Sequence, residues 1–228
     1  MSRSPLPARE AYRLWAPHYE AENAVTFLED QAARRLTPPL AGLALLDAGC
    51  GTGRRLAGLD GSASPRFAIG LDLVPAMLAA GRARRPAGPP LIAADVTAMP
   101  LRDVLFDVVW CRLVAGHLGD LTGLYRELAR VSRPGARIIV TDFHPAAVRA
   151  GHSRTFRDED GTVRTVEHHV HDPDDHERAA AAAGLTPDAR LDMEVGPEVR
   201  PFYERAGALD RYEAQRGLPL VLALRFAR

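Results

Sequence analysis

The chain has 228 residues, enough for one α/β domain with a sizeable buried core. Its 29 basic and 29 acidic residues cancel, so no net field draws it to nucleic acid or to a membrane. All the basic residues are arginine, which excludes a lysine Schiff base, a pyridoxal-binding lysine and a Walker-type phosphate lysine. The two cysteines, Cys50 and Cys111, indicate neither a disulfide framework nor a thiolate zinc site.

The first residues lack the apolar centre of a signal peptide, and no run approaches the length of a membrane span. We therefore expect a cytoplasmic protein, with neither a membrane nor nucleic acid among its partners. The abundance of arginine, alanine and proline is typical of a GC-rich bacterial genome. The amino-acid sequence does not indicate an oligomeric state.

Two helices are predicted before the first strand. Tyr12, Trp15 and Tyr19 recur at helical spacing within residues 8–20, where Pro17 interrupts the pattern. Residues 24–36 form an amphipathic pattern that ends before two prolines. Packing of the aromatic rings inside this helix pair is the alternative to any contact with a ligand.

The next stretch organises the rest of the chain. An apolar run typical of a buried parallel strand ends at Asp47. Glycines follow at alternate positions: Gly49, Gly51 and Gly53. They allow a sharp turn and a close approach of the backbone to a ligand. A dinucleotide fingerprint would need a glycine at position 54, where the chain has Arg54. The pattern predicts a nucleotide-type site at the carboxyl end of a strand.

Four more strands follow in alternation with helices, at residues 66–72, 91–95, 106–111 and 136–142. This alternation predicts a parallel sheet with right-handed crossovers. The first three strands end in acids that meet at one edge of the sheet: Asp47, Asp72 and Asp95. Asp72 stands 23 residues after Gly49, a spacing that suits a carboxylate accepting from two ribose hydroxyls. Each acid taken singly would also serve as an ordinary helix cap.

The alternation stops after residue 143. Residues 154–157 and 162–171 flank a polar turn and predict a β-hairpin. The rest of the chain predicts a capped helix, a helical stretch and two closing strands, at residues 172–183, 197–216, 188–195 and 218–225 respectively.

Residues 45–53 resemble the first motif of the class I S-adenosylmethionine (SAM) dependent methyltransferases. The order of the later motifs strengthens this resemblance: the ribose motif at 70–72, the adenine motif at 94–101, the fourth strand at 106–109 and the connection into the fifth strand at 128–135. Within the class the chain is similar to quinone-biosynthesis C-methyltransferases and biotin-pathway malonyl O-methyltransferases. Residues Tyr12 to Glu20 resemble the N-terminal W-x-x-x-Y segment of these enzymes.

The resemblance implies an α/β fold, a Rossmann-like, doubly wound sheet of seven strands, mostly parallel with the last strand antiparallel. It implies one domain over residues 1–228, in which N-terminal lid helices at 8–36 cover a SAM-binding core at 41–142. A β-hairpin insertion at 143–171, after the fifth strand, caps the substrate. Residues 172–228 add the C-terminal helix and the closing strands.

The resemblance also implies that SAM is the cofactor and S-adenosylhomocysteine its product. The expected cofactor-binding residues are Tyr19, Asp47, Gly49, Gly51, Asp72, Leu73, Asp95, Val96 and Cys111. By position, the two glycines approach the methionine part and Asp72 binds the ribose. Leu73 and Val96 cover the adenine, while Asp95 accepts from its amino group. The Cys111 backbone faces the ligand, and Tyr19 offers a ring to the sulfonium.

Three histidines are candidate catalytic bases: His117 after the fourth strand, His144 after the fifth and His169 in the hairpin. On an extended strand His169 lies on the opposite face from His168. The polar face that carries His169 would contact the substrate or bind a metal. Of these two, we predict no metal. A structural or surface role is the alternative for each histidine.

The predicted function is SAM-dependent methyl transfer, by in-line displacement, to oxygen, nitrogen or carbon of a small-molecule acceptor. Arg112 and Arg154 are candidates to pair with an acceptor carboxylate. The alternatives are a SAM-binding protein without turnover, a nucleic-acid methyltransferase and an NAD-linked reductase, which Arg54 disfavours. The D/N-P-P-Y type motif of amino-methylating DNA enzymes would fall at residues 111–114, where the chain has a different sequence.

Overall fold

The computed structural model describes residues 4–59 and 64–228. Its helices are α1 (Ala8–Trp15), α2 (Ala24–Leu36), α3 (Arg54–Ala57), α4 (Pro75–Arg84), α5 (Thr122–Val131), α6 (Pro145–Arg149), α7 (Pro173–Ala182), α8 (Arg200–Arg205) and α9 (Leu209–Gln215). Its strands are β1 (Ala44–Ala48), β2 (Phe67–Asp72), β3 (Leu91–Ala93), β4 (Phe106–Arg112), β5 (Ser132–Phe143), β6 (Thr155–Arg157), β7 (Val163–Thr165), β8 (Thr186–Glu194) and β9 (Pro219–Ala227).

The described chain forms a seven-stranded sheet in the order β3–β2–β1–β4–β5–β9–β8, while β6 and β7 pair in a separate hairpin. Strands β1 to β5 run parallel, whereas β9 is antiparallel to both of its neighbours, β5 and β8. The strand order reverses between β1 and β4, which places the switch point of the sheet at the carboxyl end of β1. The predicted Rossmann-like, doubly wound sheet is therefore confirmed.

Helices cover both faces of the sheet, which explains why the central strands are apolar without alternation. Leu46 of β1 packs with Leu128 of α5 in one core, whereas Leu45 packs with Leu28 of α2 in the other. All four side chains are fully buried. In the described residues, no helix combines the length and the apolar character needed to span a bilayer.

The first helix and the β6–β7 hairpin lie together over the carboxyl edge of the sheet. Trp15 of α1 stacks on Phe156 of β6 with ring centroids 5.2 Å apart. Tyr12 of α1 and Met77 of α4 belong to the same apolar cluster. These contacts bring three elements that are distant in sequence around one end of β1 and β2.

The second arm of the hairpin is shorter than predicted. Strand β7 ends at Thr165 and does not continue to residue 171, because the following backbone groups bond elsewhere. The N–H of Glu167 donates to the carbonyl oxygen of Leu6 at 2.8 Å, and that of His169 donates to Gly116 at 2.7 Å. Residues 167–169 therefore link Leu6, just before α1, to Gly116 in the loop after β4.

Gly81 lets α4 pack directly against the glycine turn after β1. A Cβ at this position would overlap the backbone carbonyl of Thr52. We expect Gly81→Ala to lower the free energy of unfolding by about 1–3 kcal/mol through overpacking, although alanine favours a helix by about 1 kcal/mol. Urea denaturation measures the change. Gly58→Ala is the control, since its Cβ would lie 3.8 Å from the nearest atom. Equal stability of the two variants would contradict this expectation.

Candidate active site

A cavity opens at the carboxyl ends of β1, β2 and β4, beside the start of α4, and we call it the edge cavity. Most of the residues predicted from the sequence line it: Tyr19, Gly49, Gly51, Asp72, Leu73, Asp95, Val96 and His117. The structure therefore brings together parts of the chain that are about 100 residues apart in the sequence.

The turn after β1 contributes bare backbone to the edge cavity. Gly49 and Gly51 have φ angles of +84° and +57°, in the left-handed region that favours glycine. A Cβ at Gly49 would overlap the side chain of Val114, and a Cβ at Gly51 would lie 3.3 Å from the ring of Tyr19. Side chains at these two positions would thus fill the space beside the turn.

Asp72, at the end of β2, fixes this turn. Its carboxylate accepts hydrogen bonds from the N–H of Gly51 and the N–H of Val74, both at 2.8 Å. Burial raises the pKa of Asp72, while the two backbone bonds act in the opposite direction. A carboxylate has about four lone-pair sites, so two remain for hydroxyl groups of a ligand in the cavity.

Asp95, Leu73 and Val96 form the side of the cavity next to β2 and β3. Oδ1 of Asp95 accepts from the N–H and the hydroxyl of Thr97 at 2.8 and 2.7 Å, which fixes the carboxylate beside the cavity. Leu73 is 44% exposed, although it is a large apolar residue. An apolar side chain left open beside a fixed acceptor suits a flat, amino-bearing ring.

Three aromatic rings of the N-terminal segment pack on one another near the turn. The ring centroids of Trp15 and Tyr19 are 5.1 Å apart, and those of Tyr12 and Tyr19 are 5.8 Å apart. Burial raises the pKa of the Tyr19 phenol. Both tyrosines also line the edge cavity, so the packing role and the ligand-facing position coexist. A neutral aromatic ring attracts a cation by about 0.5–2 kcal/mol.

Two other predicted residues, Asp47 and Cys111, are buried and do not line the cavity. The three residues that follow Cys111 line it instead. Oδ1 of Asp47 has no hydrogen-bond partner among the described residues. Burial raises the pKa of Asp47 to about 7, against the effect of the nearby Arg112 guanidinium. Asp47 thus lies behind the start of the glycine turn, with a buried and unpaired oxygen that does not face the cavity.

Arg112 is a structural residue, contrary to the expectation that it pairs with an acceptor carboxylate. Its guanidinium donates to both carboxylate oxygens of Glu29 at 2.7 and 2.8 Å, and to Asp30 at 2.9 Å. The hydroxyl of Thr141 donates to Glu29 at 3.0 Å. Since the Arg112 and Glu29 side chains are 7% and 3% exposed, this buried pair ties α2 to the end of β4.

Leu113 follows Arg112 in a left-handed conformation, with φ of +57°. Such a backbone conformation costs about 1–3 kcal/mol in a residue other than glycine. The Leu113 N–H donates to the carbonyl oxygen of Thr141 at 2.9 Å, and its own carbonyl accepts from Nη1 of Arg154 at 3.1 Å. These bonds turn the chain at the end of β4, so that Leu113 and Val114 enter the wall of the cavity.

His117 is the predicted base that lines the edge cavity. Its Nε2 lies 3.0 Å from the hydroxyl of Tyr12 and 2.9 Å from Nη1 of Arg154. Because arginine only donates, Nε2 is the acceptor and the proton resides on Nδ1, which is 3.4 Å from the carbonyl oxygen of Glu167. Burial and the Arg154 charge lower the pKa of His117 well below its usual value, so the imidazole is neutral.

The structure does not bring the other two candidate bases to the cavity. His144 caps α6 by accepting from the N–H of Ala146 at 3.1 Å, and its Nε2 lies 3.5 Å from Asp192. His169 lines a surface hollow with the start of α5. His168, which sequence reasoning passed over, turns inward, with its ring centroid 6.3 Å from that of His117. An extended strand would also place His168 and His169 on opposite faces.

Comparison with known proteins supports the class that this geometry suggests. Residues 46–140 match the family model described as "Methyltransferase domain". A malonyl-[acyl-carrier protein] O-methyltransferase of Dechloromonas aromatica is 32% identical over 198 residues, covering 85% of this chain and 70% of that protein. A demethylmenaquinone methyltransferase of Mycolicibacterium paratuberculosis is 31% identical over 148 residues, covering 63% of this chain. The match spans 62% of that relative's length, less than two thirds.

A solved SAM-dependent methyltransferase from Mesorhizobium loti has the same fold, with a TM-score of 0.65 at 22% identity, over 88% of this chain and 98% of that one. The strand order, the glycine turn and Asp72 thus define a class I methyltransferase architecture. The chain belongs to the SAM-dependent methyltransferase family. Its residues fit the SAM cofactor of that family, since Gly49 and Gly51 present bare backbone to the cavity beside the fixed carboxylate of Asp72.

The raised pKa of Asp47 predicts a pH-dependent stability. In the native protein this pKa is about 7, whereas an unfolded aspartate has about 3.9. Between these values only the unfolded chain loses the proton, so the free energy of unfolding falls as pH rises, by at most about 1.4 kcal/mol per pH unit. We expect Asp47→Asn, which mimics the neutral acid, to gain stability relative to the wild type between pH 4 and pH 7.

Urea denaturation across this pH range measures the difference between the variant and the wild type. Asp174→Asn, at an exposed position of α7, is the control. Parallel pH profiles of Asp47→Asn and the wild type would contradict the expectation.

Proposed function

We propose that the chain is an enzyme that transfers the methyl group of SAM to a small-molecule acceptor. The observation that carries this proposal is the edge cavity, where Gly49 and Gly51 leave bare backbone beside the fixed carboxylate of Asp72. When bound, SAM supplies a methyl group on a positively charged sulfur, which is activated toward displacement by a nucleophile. The chain itself binds and orients the two reactants.

Each lining residue has a chemical task in this proposal. The free lone pairs of Asp72 accept from the ribose hydroxyls, and Asp95 accepts from the adenine amino group, with Leu73 and Val96 against the ring. The glycine turn receives the methionine part. Asp47, buried behind the turn, attracts its ammonium group in the ionised form, which a nearby positive charge favours. The fixed acceptors and the shaped wall explain how one ligand orientation is selected.

Alignment is the main catalytic contribution that we assign to the chain. Holding two reactants in a near-attack geometry accounts for about 7–11 kcal/mol of a barrier. Tyr12 and Tyr19 face the cavity with neutral rings, which favours a positive charge there without covalent chemistry. The left-handed Leu113 places its side chain in the same wall.

His117 fits a positioning role better than the predicted role of base. Protonation of its Nε2 would set a second cation against Arg154, which lies 2.9 Å away. A group with so low a pKa is a weak proton acceptor at neutral pH. We assign His117 to holding Tyr12 and Arg154 between the hairpin and α1.

A single domain with four parts accompanies this function. In this proposal, residues 8–36 cover the cofactor core at 41–142, the segment 143–171 caps the acceptor, and 172–228 complete the sheet. A cytoplasmic, bacterial enzyme that works without nucleic acid is consistent with the zero formal charge and with the bacterial relatives.

Titration calorimetry with SAM, S-adenosylhomocysteine and NADH tests the cofactor assignment. We expect both adenosyl compounds to bind and NADH not to bind. Asp72→Asn replaces one accepting oxygen by a donor, and the loss of charge-assisted bonds of about 1.5–3 kcal/mol predicts at least tenfold weaker binding. Asp174→Asn is the matched control and keeps the wild-type affinity. Binding of NADH alone, or full affinity in Asp72→Asn, would contradict the proposal.

Turnover is tested by S-adenosylhomocysteine formation from SAM with a panel of phenols, quinones, carboxylates and amines. Binding of SAM without product from any acceptor class would favour a SAM-binding protein that performs no chemistry.

The protonation state of His117 is measured by long-range ¹H–¹⁵N NMR, with the signal assigned from its loss in His117→Gln. We expect the neutral form protonated on Nδ1 throughout pH 6–8, because burial and Arg154 oppose the charged form. A midpoint at or above 6.5, or a proton on Nε2, would restore the base hypothesis.

A further inference from the structure

A second cavity, of about 430 Å³, adjoins the edge cavity at Tyr12, Tyr19 and Leu113. These three residues line both cavities. We call it the roof cavity, because Arg154 and His152 of the segment after β5 close it. Its volume lies within the range of small-molecule sites, about 300–1,000 Å³. The two cavities therefore meet at these residues.

The walls of the roof cavity are aromatic. Besides the two shared tyrosines, they include Trp15, Phe143 and Tyr203. The guanidinium carbon of Arg154 lies 4.9 Å from the centroid of the Phe143 ring. Rings that pack edge-to-face or in offset stacks favour a flat, apolar guest over an aliphatic chain.

The ionisable groups Arg154, Arg211 and His152 give the roof cavity a basic lining. None of the described lining residues is Asp or Glu. Arg154 is only 8% exposed. Asp142 is buried nearby, but it does not line the cavity, and burial raises its pKa to about 7. The cavity thus holds positive charge without a matching carboxylate.

Among the described residues, one terminal nitrogen of Arg154 is hydrogen-bonded and the other is not. Its hydrogen bonds within the described residues run from Nη1, to the Tyr12 oxygen, to the Leu113 carbonyl at 3.1 Å and to His117 Nε2 at 2.9 Å. Nη2 is buried and has no partner among the described residues, and the same holds for Nε2 of His152. An unpaired donor on a buried guanidinium is costly, and a bound anion offsets that cost.

We propose that the roof cavity is the acceptor site and that it takes a flat aromatic molecule bearing one carboxylate, with Arg154 as the carboxylate partner and Arg211 at the exposed rim. This inference rests on the proposed function, since the cavity adjoins the cofactor site at the three shared residues. A guanidinium fork matches the two oxygens of a carboxylate. The expectation that Arg154 pairs with an acceptor carboxylate is kept in this proposal, whereas Arg112 serves Glu29.

Calorimetry with the full chain saturated with S-adenosylhomocysteine tests this proposal. The probes are 2-naphthoate and its neutral isostere 2-naphthamide. We expect naphthoate to bind at least tenfold more tightly than naphthamide in the wild type. In Arg154→Gln the preference falls below threefold, and in Arg211→Gln it falls by about twofold to fivefold. Arg178→Gln, whose side chain is 73% exposed on α7, keeps the full preference.

Affinity for S-adenosylhomocysteine is measured in the same samples, and it separates the two proposals. If S-adenosylhomocysteine did not bind to the wild type, that result would contradict the proposed function. Normal cofactor binding with equal affinities for the two probes, or without naphthoate binding, would overturn the acceptor assignment alone. If Arg154→Gln does not fold, the rim variant Arg211→Gln decides, since an unchanged preference there also counts against the proposal.

Discussion

The site depends on how the end of β2 holds the turn after β1. The carbonyl oxygen of Leu71 accepts from the N–H groups of Gly49 and Cys50 at 2.7 and 2.9 Å, and Asp72 accepts from Gly51 at 2.8 Å. Three consecutive donors of the turn are thus fixed by two residues of the neighbouring strand. Because the same Asp72 carboxylate accepts from Val74, the turn and the start of α4 share one position. The edge cavity is the space that this arrangement leaves open.

Buried charge divides into a paired and an unpaired set. Arg112 and Glu29 satisfy one another with two short bonds, and they join α2 to the sheet. Asp47 and Arg154 each keep a buried polar atom without a partner among the described residues. A buried ion without a partner costs several kcal/mol, and such perturbed groups mark candidate functional sites. In our proposals Asp47 attracts the donor and Arg154 attracts the acceptor.

The sequence alone predicts the parts of the site that depend on local pattern. Glycines at alternate positions and acids at strand ends are set by the path of the chain itself, so Gly49, Gly51 and Asp72 occupy the cavity as expected. Contacts between distant segments leave no such pattern. Tyr12 and His117 are 105 residues apart, and Glu29 and Arg112 are 83 apart. The end of β7 likewise depends on backbone bonds to Leu6 and Gly116, which sequence periodicity does not contain.

Leu113 connects these observations, because its strained backbone stands at the boundary between the two cavities. Regular strand geometry would carry β4 straight on past Arg112, whereas the left-handed turn places Leu113 in the lining of both cavities. Thr141 of β5 and Arg154 of the roof hold the left-handed turn from opposite sides. Arg154 therefore contributes twice, since Nη1 stabilises the wall while Nη2 stays free for a guest. A charge on the guest would then act on the same guanidinium that shapes the wall toward the methyl donor.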